Sequence, residues 1–326
     1  MTSMSNPGAL LMTYGSPDSV EPGDVRAYLA RVRHGREPDD ELVDEFTRRY
    51  RVIGGSPLVP ITESQAAALA EELGWPVEVG MRFSEPSIET GLRRLAAAGV
   101  THVAAIILSP QHSPLLMSGY GRAIDAGLAA IAASGDAVPR VAVADAWHTE
   151  PRFIEALASR LRAALESADG TPGRAHVLMT AHSLPRRVAD EEPGYLDQLE
   201  STAHAIARQA GLAAEDWTFC WQSAGHEPGE WMRPDFADLM PRIAAAGATR
   251  AIVVPVQFLA DHLETLYDVD VGAREQAEAH GLAFERVASL NDDPGLIAAL
   301  AEVARRTASA AGRSMANRES VAAPSR

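Results

Sequence analysis

Two segments of the chain carry side chains suited to proton transfer and metal binding. His182 directly follows an apolar run. A histidine at the end of a buried strand can act as a base or a metal ligand, because its pKa lies near neutrality. Glu264 and Asp268 are four residues apart, so a helix would place both carboxylates on one face, where they could attract a divalent cation or pass protons. His262 would point elsewhere on that helix.

Each of these residues also has a purely structural interpretation. His182 could bond the local backbone at a strand end. Asp261 could cap the helix that follows it, and Glu264 lies three residues later in the capping-box position. From the residues alone, both interpretations stay open.

The first third of the chain adds a phenol and a group of arginines. Tyr14 follows the first apolar run. It could be a core tyrosine, or it could place a phenolate, a good ligand for iron, at the mouth of a cleft. Residues 26–51 contain seven arginines. These could be solvated helix faces, or they could bind carboxylates, for which the guanidinium fork is well shaped.

The order of elements along the chain predicts how these residues are brought together. Apolar runs typical of buried parallel strands are Ala9–Met12, Val77–Val79, Val103–Leu108, Val141–Ala144, His176–Met179 and Ala251–Val256. Helical patterns are Gly23–Arg33, Asp40–Tyr50, Thr62–Leu73, Glu85–Ala98, Pro151–Ser167, Tyr195–Ala210, Phe236–Ala246 and Gly272–His280. The alternation predicts an α/β fold with parallel sheets, in which ligands bind beyond the carboxyl ends of the strands.

A weak internal repeat divides the chain into two related parts. Leu11–Pro17 resembles Leu178–Pro185, and Gly99–His102 opens a strand much as Gly247–Arg250 does. We therefore predict two lobes, residues 8–150 and 172–305, joined by a linker at 168–173. The tail, residues 306–326, is rich in Ala, Ser and Arg and is predicted to be disordered.

Composition excludes several classes of function. The 326 residues include no lysine, which excludes a lysine Schiff base and a Walker A phosphate loop. The formal net charge of -15 argues against nucleic-acid or anionic-membrane binding. Cys220 is the only cysteine, is predicted to be a buried apolar residue, and cannot form a disulfide or a four-cysteine cluster within the chain. No apolar run reaches the ~20 residues of a membrane span, and the N-terminus does not resemble a signal peptide, so we expect a cytoplasmic protein.

Four segments, taken together and in order, resemble ferrochelatases, which insert ferrous iron into a porphyrin. They are Tyr50–Leu58, Ala181–Pro185, Trp221–Ser223 and Val254–Tyr267. The resemblance implies two Rossmann-like lobes, each with a four-stranded parallel sheet flanked by helices, and a porphyrin cleft between them. It also implies release of two protons and no cofactor beyond the substrate Fe²⁺. The single cysteine, Cys220, excludes the [2Fe-2S] cluster that some relatives carry.

The same resemblance assigns roles to residues of this chain. It places the catalytic and metal-binding pair at His182 and Glu264, and a proton or metal relay at Asp268. It implies substrate binding by Tyr14, Arg31, Arg33, Ser56 and Ser223, and an outer metal region with Arg49 and Asp268.

The chain most resembles the coproporphyrin III ferrochelatases of Gram-positive bacteria, whose first loop carries a tyrosine at the position of Tyr14. In that group the tyrosine ligates iron on the face opposite the histidine. The likeness implies a monomer that uses coproporphyrin III and Fe²⁺, binds neither nucleic acid nor membrane, and precedes another haem-pathway enzyme. Gly272 replaces a glutamate of the acidic series, which leaves modulation by Mg²⁺ open, and Phe83 replaces a histidine of the group.

Three other functions remain open at this point. The chain could be a ferrochelatase for protoporphyrin IX, or another tetrapyrrole chelatase such as one for cobalt or sirohydrochlorin. It could also be a non-catalytic carrier of porphyrin or haem. Turnover distinguishes an enzyme from a carrier, which would bind porphyrin stoichiometrically.

Overall fold

The computed structural model describes residues 6–166, 173–225 and 229–322, with side chains up to residue 310. Most of the predicted linker, residues 168–172, lies outside the described residues. Within them, the chain forms two four-stranded parallel sheets flanked by helices. The first contains β1 (Pro7–Thr13), β2 (Val77–Met81), β3 (His102–Ile107) and β4 (Arg140–Val143). The second contains β5 (Arg174–His182), β6 (Trp217–Gln222), β7 (Ala248–Pro255) and β8 (Ala283–Arg286).

The two sheets have the same topology, which confirms the internal repeat and the predicted fold class. Their strand orders are β2-β1-β3-β4 and β6-β5-β7-β8. The matching tripeptides Leu11–Thr13 and Leu178–Thr180 therefore lie in equivalent strands, β1 and β5. Tyr14 and His182 consequently lie at equivalent strand ends, one in each half of the molecule.

Among the described residues, all helices but the last lie between strands along the chain. In the first half they are α1 (Pro22–Val32), α2 (Asp40–Val52), α3 (Leu58–Leu73), α4 (Ile88–Ala97), α5 (Pro114–Ala133) and α6 (Pro151–Glu166). In the second half they are α7 (Arg186–Glu191), α8 (Pro193–Ala210), α9 (Phe236–Ala245), a π-helix (Glu264–Ala273), α10 (Arg274–Ala279) and α11 (Pro294–Ala322).

The sequence patterns predicted neither helix α5 nor strand β8. Glycines make α5 a poor helix by propensity, but packing requires them. A Cβ at Gly119 would collide with the guanidinium of Arg82, and one at Gly127 would lie 3.0 Å from Leu92 Cδ1. Strand β8 is a four-residue edge strand with partly exposed side chains, so it lacks the apolar run of a buried strand.

The last helix continues into the tail, residues 306–326, whose disorder stays a prediction. Helix α11 extends to Ala322, and residues 323–326 lie outside the described part of the chain. Leu296, Leu300 and Val303 are buried in the main core, and Thr307 is buried one turn later. This packing anchors the helix, and the following alanine-rich segment has a high helix propensity.

Helix α11 also returns to the first half of the molecule. It packs against α3, α6, β3 and β4. A single core cluster includes Leu11 and Ile106 of the first sheet together with Met179 and Val254 of the second. The two sheets therefore share one apolar core, and the lobe boundaries at 8–150 and 172–305 stay a prediction.

Candidate active site

His182 ends the central strand β5, and two hydrogen bonds hold it. Its backbone N–H donates to Gln257 Oε1 at 2.9 Å, and its Nδ1 lies 2.5 Å from the carbonyl oxygen of Ser183. Because a carbonyl can only accept, we place the proton on Nδ1. The other ring nitrogen, Nε2, then carries the lone pair and lies 3.6 Å from Glu264 Oε1. The neutral ring can therefore accept a proton or bind a metal at Nε2.

Glu264 lies between two histidines. Its second carboxylate oxygen, Oε2, is 3.4 Å from His262 Nε2, and His262 Nδ1 donates to the carbonyl of Ala260 at 2.8 Å. The expectation that His262 points away from Glu264 is wrong, because residue 262 precedes the π-helix rather than lying within it. The sequence did contain a signal for this contact. Residues 262 and 264 are two apart, and in an extended chain such residues point to the same side.

The backbone of Glu264 is tied to the second sheet through Gln222. The side-chain amide of Gln222 donates to the carbonyl of Glu264 at 3.3 Å, and its oxygen accepts from the Thr180 hydroxyl at 2.5 Å. Thr180 lies in β5 two residues before His182. The segment Trp221–Ser223, singled out from the sequence, thus joins the backbone of Glu264 to the strand that carries the histidine.

The histidines keep the carboxylate ionised. Burial raises the pKa of Glu264, but the charge of His182 and the hydrogen bond and charge of His262 outweigh it and lower the pKa to about 2. Burial lowers the pKa of His262, but the hydrogen bond from its ring to Glu264 and the carboxylate charge produce a net rise. Glu264 and His262 therefore titrate as a coupled pair.

These shifts predict how pH affects the pair. Glu264, with its lowered pKa, stabilises the fold above its ordinary value of 4.5, and this stabilisation is lost as pH falls toward 2. His262, with its raised pKa, stabilises the fold below 6.5, and this contribution is lost as pH rises through the raised value.

Glu264→Gln should lower the pKa of His262. The substitution removes the negative charge and leaves the opposing effect of burial. An NMR titration of the His262 ring protons measures the change, with His204 on α8 as the internal reference. An unchanged His262 pKa in the variant would contradict the charge coupling.

The π-helix replaces the capped α-helix expected at this segment. It begins after Leu263 with no side-chain cap, so the prediction that Asp261 is an N-cap is wrong. Asp261 instead forms an ion pair with Arg286 at 3.1 Å and a hydrogen bond with Asn291 at 3.0 Å. Both partners come from the chain beyond the π-helix, where local pattern gives no sign of them. A π-helix often marks a functional site.

The first half of the molecule contributes Tyr14 and its neighbours. Tyr14 is 47 % exposed, and its ring packs on Phe83 with the ring centres 5.0 Å apart. Arg82 lies over both rings, 5.7 Å from the centre of Tyr14 and 4.6 Å from that of Phe83. Burial raises the pKa of Tyr14, Arg82 opposes this, and the charge of Glu264 adds to the rise. Tyr14 is thus close enough to the second half to sense its carboxylate.

The other predicted substrate contacts have different surroundings. Arg31 Nε donates to the carbonyl of Phe83 at 2.6 Å, beside Tyr14. Arg33 Nε is buried with no hydrogen-bond partner. The Ser56 hydroxyl accepts from Leu58 N at 3.4 Å, where α3 begins. The structure therefore brings Arg31 to Tyr14, whereas the observed contact of Ser56 is local.

The sequence profile of the ferrochelatase family matches residues 6–308, nearly the whole chain. The chain belongs to the ferrochelatase family. It is therefore a metal chelatase, a lyase of haem biosynthesis that acts on a porphyrin and Fe²⁺.

Named relatives resemble this ferrochelatase over almost their full length. The ferrochelatase of Deinococcus radiodurans is 37% identical over 318 residues, which cover 94% of this chain and 99% of the relative. The coproporphyrin III ferrochelatase of Geobacillus thermodenitrificans is 36% identical over 306 residues, 91% of this chain and 94% of the relative.

Solved structures support the fold of this ferrochelatase. SirB from Bacillus subtilis with Fe³⁺ has a TM-score of 0.57 at 14% identity, covering 93% of this chain and 96% of that one. The sirohydrochlorin chelatase SirB in complex with cobalt, from Bacillus subtilis subspecies spizizenii, gives 0.53 at the same identity and coverage. At this identity the likeness concerns the fold alone.

In the outer acidic region of this ferrochelatase, an ion pair joins the first half of the molecule to the π-helix. Arg49 Nη1 on α2 lies 3.5 Å from Asp268 Oδ1, and Arg49 Nε lies 2.7 Å from Glu45. Burial raises the pKa of Asp268, a hydrogen bond from Ser223 opposes it, and the charge of Glu264 raises the pKa further. Gly272, one helical turn after Asp268, contributes no carboxylate to this region. The structure thus brings Ser223, Asp268 and Arg49 together.

Two remaining predictions concern iron–sulfur chemistry and membranes. Cys220, the single cysteine of this ferrochelatase, is buried in β6 as predicted, and burial raises the pKa of its thiol. One cysteine cannot hold a [2Fe-2S] cluster. No helix among the described residues is long and apolar enough to span a membrane.

Proposed function

We propose that this ferrochelatase inserts Fe²⁺ into coproporphyrin III, forming coprohaem and releasing two protons. The substrate name comes from relatives such as that of Geobacillus thermodenitrificans. The Deinococcus radiodurans relative is named only as a ferrochelatase, so protoporphyrin IX is the alternative substrate that the experiment must test.

The observation that carries the substrate proposal is the group formed by Tyr14, Phe83 and Arg31. Tyr14 is half exposed, its ring packs on Phe83, and the carbonyl of Phe83 accepts a hydrogen bond from the exposed Arg31. A cation is thereby anchored beside a phenol. A tetracarboxylate porphyrin could place a propionate on the guanidinium while its metal approaches the phenol oxygen.

The reaction requires a base and a place for positive charge. Each inserted Fe²⁺ replaces two pyrrole N–H protons, so the products are the metallated porphyrin and two protons. We assign proton acceptance to His182 Nε2, whose lone pair is made available by the Nδ1 bond to Ser183. The ionised carboxylate of Glu264, 3.6 Å away, stabilises the resulting imidazolium.

Protons and metal ions also need a route to solvent. From Glu264 the π-helix leads to Asp268, whose carboxylate is bonded to Ser223 and paired with Arg49. We propose that Asp268 relays protons outward or passes Fe²⁺ inward. Tyr14, supplied by the opposite half, would ligate iron on the other face of the porphyrin.

Anaerobic metallation assays distinguish the substrates. The purified protein is mixed with Fe²⁺ and either coproporphyrin III or protoporphyrin IX, and the change in visible absorption is followed. We expect multiple turnovers with coproporphyrin III and little with protoporphyrin IX. A preference for protoporphyrin IX would overturn the substrate proposal, and stoichiometric binding without turnover would support a carrier instead.

Tyr14→Phe should change the product complex. The variant keeps the ring on Phe83 but loses the oxygen that would ligate iron. We expect the ferric coprohaem complex to lose phenolate-to-iron charge-transfer absorption, while Tyr120→Phe, a buried tyrosine under Arg82, keeps it. Identical spectra for Tyr14→Phe and the unmodified protein would rule out Tyr14 as a ligand.

A further inference from the structure

Asn291 fastens the residues that immediately precede His262 and Glu264. Its side chain makes a reciprocal pair with Asp261: Asn291 Oδ1 accepts from Asp261 N at 2.9 Å, and Asn291 Nδ2 donates to Asp261 Oδ2 at 3.0 Å. Its backbone N–H donates to the carbonyl of Leu259 at 2.7 Å. Three hydrogen bonds therefore fix residues 259–261, which immediately precede the histidine.

The same residue reaches into the first half of the molecule. The carbonyl of Asn291 accepts from Gln65 Nε2 at 2.7 Å, and Gln65 is a fully buried residue of α3. Asn291 thus connects the helix after the Gly-Gly-Ser-Pro turn with the strand end that leads to Glu264.

Asn291 has a backbone conformation that few residue types adopt. Its φ is +52°, in the left-handed region that asparagine and glycine adopt more readily than other residues. In this conformation the side-chain amide donates to Asp261 while the carbonyl accepts from Gln65. A β-branched or bulky residue could not adopt it without strain.

The guanidinium of Arg286 bonds both Asp261 and the π-helix. Arg286 is 9% exposed, forms an ion pair with Asp261 at 3.1 Å and bonds Asp270 through two nitrogens at 2.8 and 2.9 Å. Asp261 lies just before the π-helix and Asp270 lies within it. Arg286 therefore bonds both ends of the segment, and at one end it shares Asp261 with Asn291.

We infer that Asn291 is a positioning residue for metallation, which sets the His262–Glu264 segment relative to α3 of the first half. The inference rests on the proposed role of Glu264. Asn291 touches neither histidine nor carboxylate of the site in the structure, and it acts through Asp261 and the backbone of residues 259–261. Loss of its side chain should displace the reacting groups without removing any of them.

Asn291→Gly tests the inference without straining the backbone, because glycine tolerates a positive φ. Displacing supporting groups costs about 10–100-fold in activity. We therefore expect kcat for Fe²⁺ insertion to fall by about 10–100-fold, with the KM for porphyrin unchanged. The assay uses whichever porphyrin the unmodified protein turns over best, at a temperature well below the thermal midpoint of each variant.

Ser64→Ala is the matched control. The Ser64 hydroxyl donates to Asp292 Oδ2 at 2.7 Å, so it links the same helix and the same loop without touching residues 259–261. We expect unchanged kcat for this variant. Equal losses for Asn291→Gly and Ser64→Ala, or a loss confined to KM, would overturn the inference.

A double-variant cycle separates positioning from general stability. If Asn291 acts through Glu264, Asn291→Gly should cause no further loss in single-turnover rate in the Glu264→Gln protein. Losses that multiply would overturn the inference. Absence of turnover by the unmodified protein would instead refute the proposed function, so the two failures are distinguishable.

Discussion

Replacing His182 with alanine should abolish turnover while leaving porphyrin binding intact. General-base catalysis contributes about 10²–10⁴-fold to a rate, and alanine removes the only ring nitrogen placed toward Glu264 from β5. The main-chain bond from residue 182 to Gln257 remains available in the variant. The strand end should therefore keep its position, and the defect should appear in kcat rather than in porphyrin affinity.

His176→Ala provides the control for this prediction. His176 lies in the same strand, near its opposite end, and its ring bonds the Thr218 hydroxyl at 2.9 Å. Metallation is followed by visible absorption, and porphyrin binding by quenching of protein fluorescence. We expect normal turnover from His176→Ala. Unchanged turnover of His182→Ala would refute the assignment of the base.

The second large effect is expected for Glu264→Gln. Glutamine has nearly the same shape, but it cannot balance the imidazolium that forms when His182 accepts a proton. Because the carboxylate has a pKa of about 2, it is ionised throughout the working pH range and its charge is always available. We expect turnover to fall by about 10²-fold or more, with porphyrin binding retained.

Glu278→Gln tests whether charge near this segment is sufficient to explain such a loss. Glu278 is an exposed residue of α10, which follows the π-helix directly. It carries the same charge but has no contact with either histidine in the structure. We expect its substitution to leave kcat unchanged. Comparable losses for Glu264→Gln and Glu278→Gln would indicate a general effect of net charge instead of a role for the pair.

The fold was predictable because its signals are local. Apolar runs such as Val103–Leu108 identify buried strands, and the repeated tripeptide identified equivalent strands in two sheets of identical topology. The two elements that the sequence patterns did not predict, α5 and β8, also have local causes. Helix α5 contains glycines that its packing requires, and β8 is an edge strand with mixed polarity.

The site was only partly predictable. His182 and Glu264 could be found because one follows a strand and the other belongs to a recognisable segment, and the structure brings their side chains within 3.6 Å. The sequence pattern predicts the wrong role for Asp261, which does not cap the helix. Its partners, Arg286 and Asn291, are 25 and 30 residues away, far beyond the reach of a capping pattern.

The sequence by itself determined the class of fold, the strand ends at which the candidate site lies and the family to which the chain belongs. Only the tertiary structure decided that His262 turns toward Glu264, that the acidic segment is a π-helix, and that Arg49 reaches Asp268 across the molecule. The physical reason is the range of the interactions. Periodicity reports which face of an element is buried, whereas these contacts depend on how elements far apart in the chain are placed by sheet order and by a shared core.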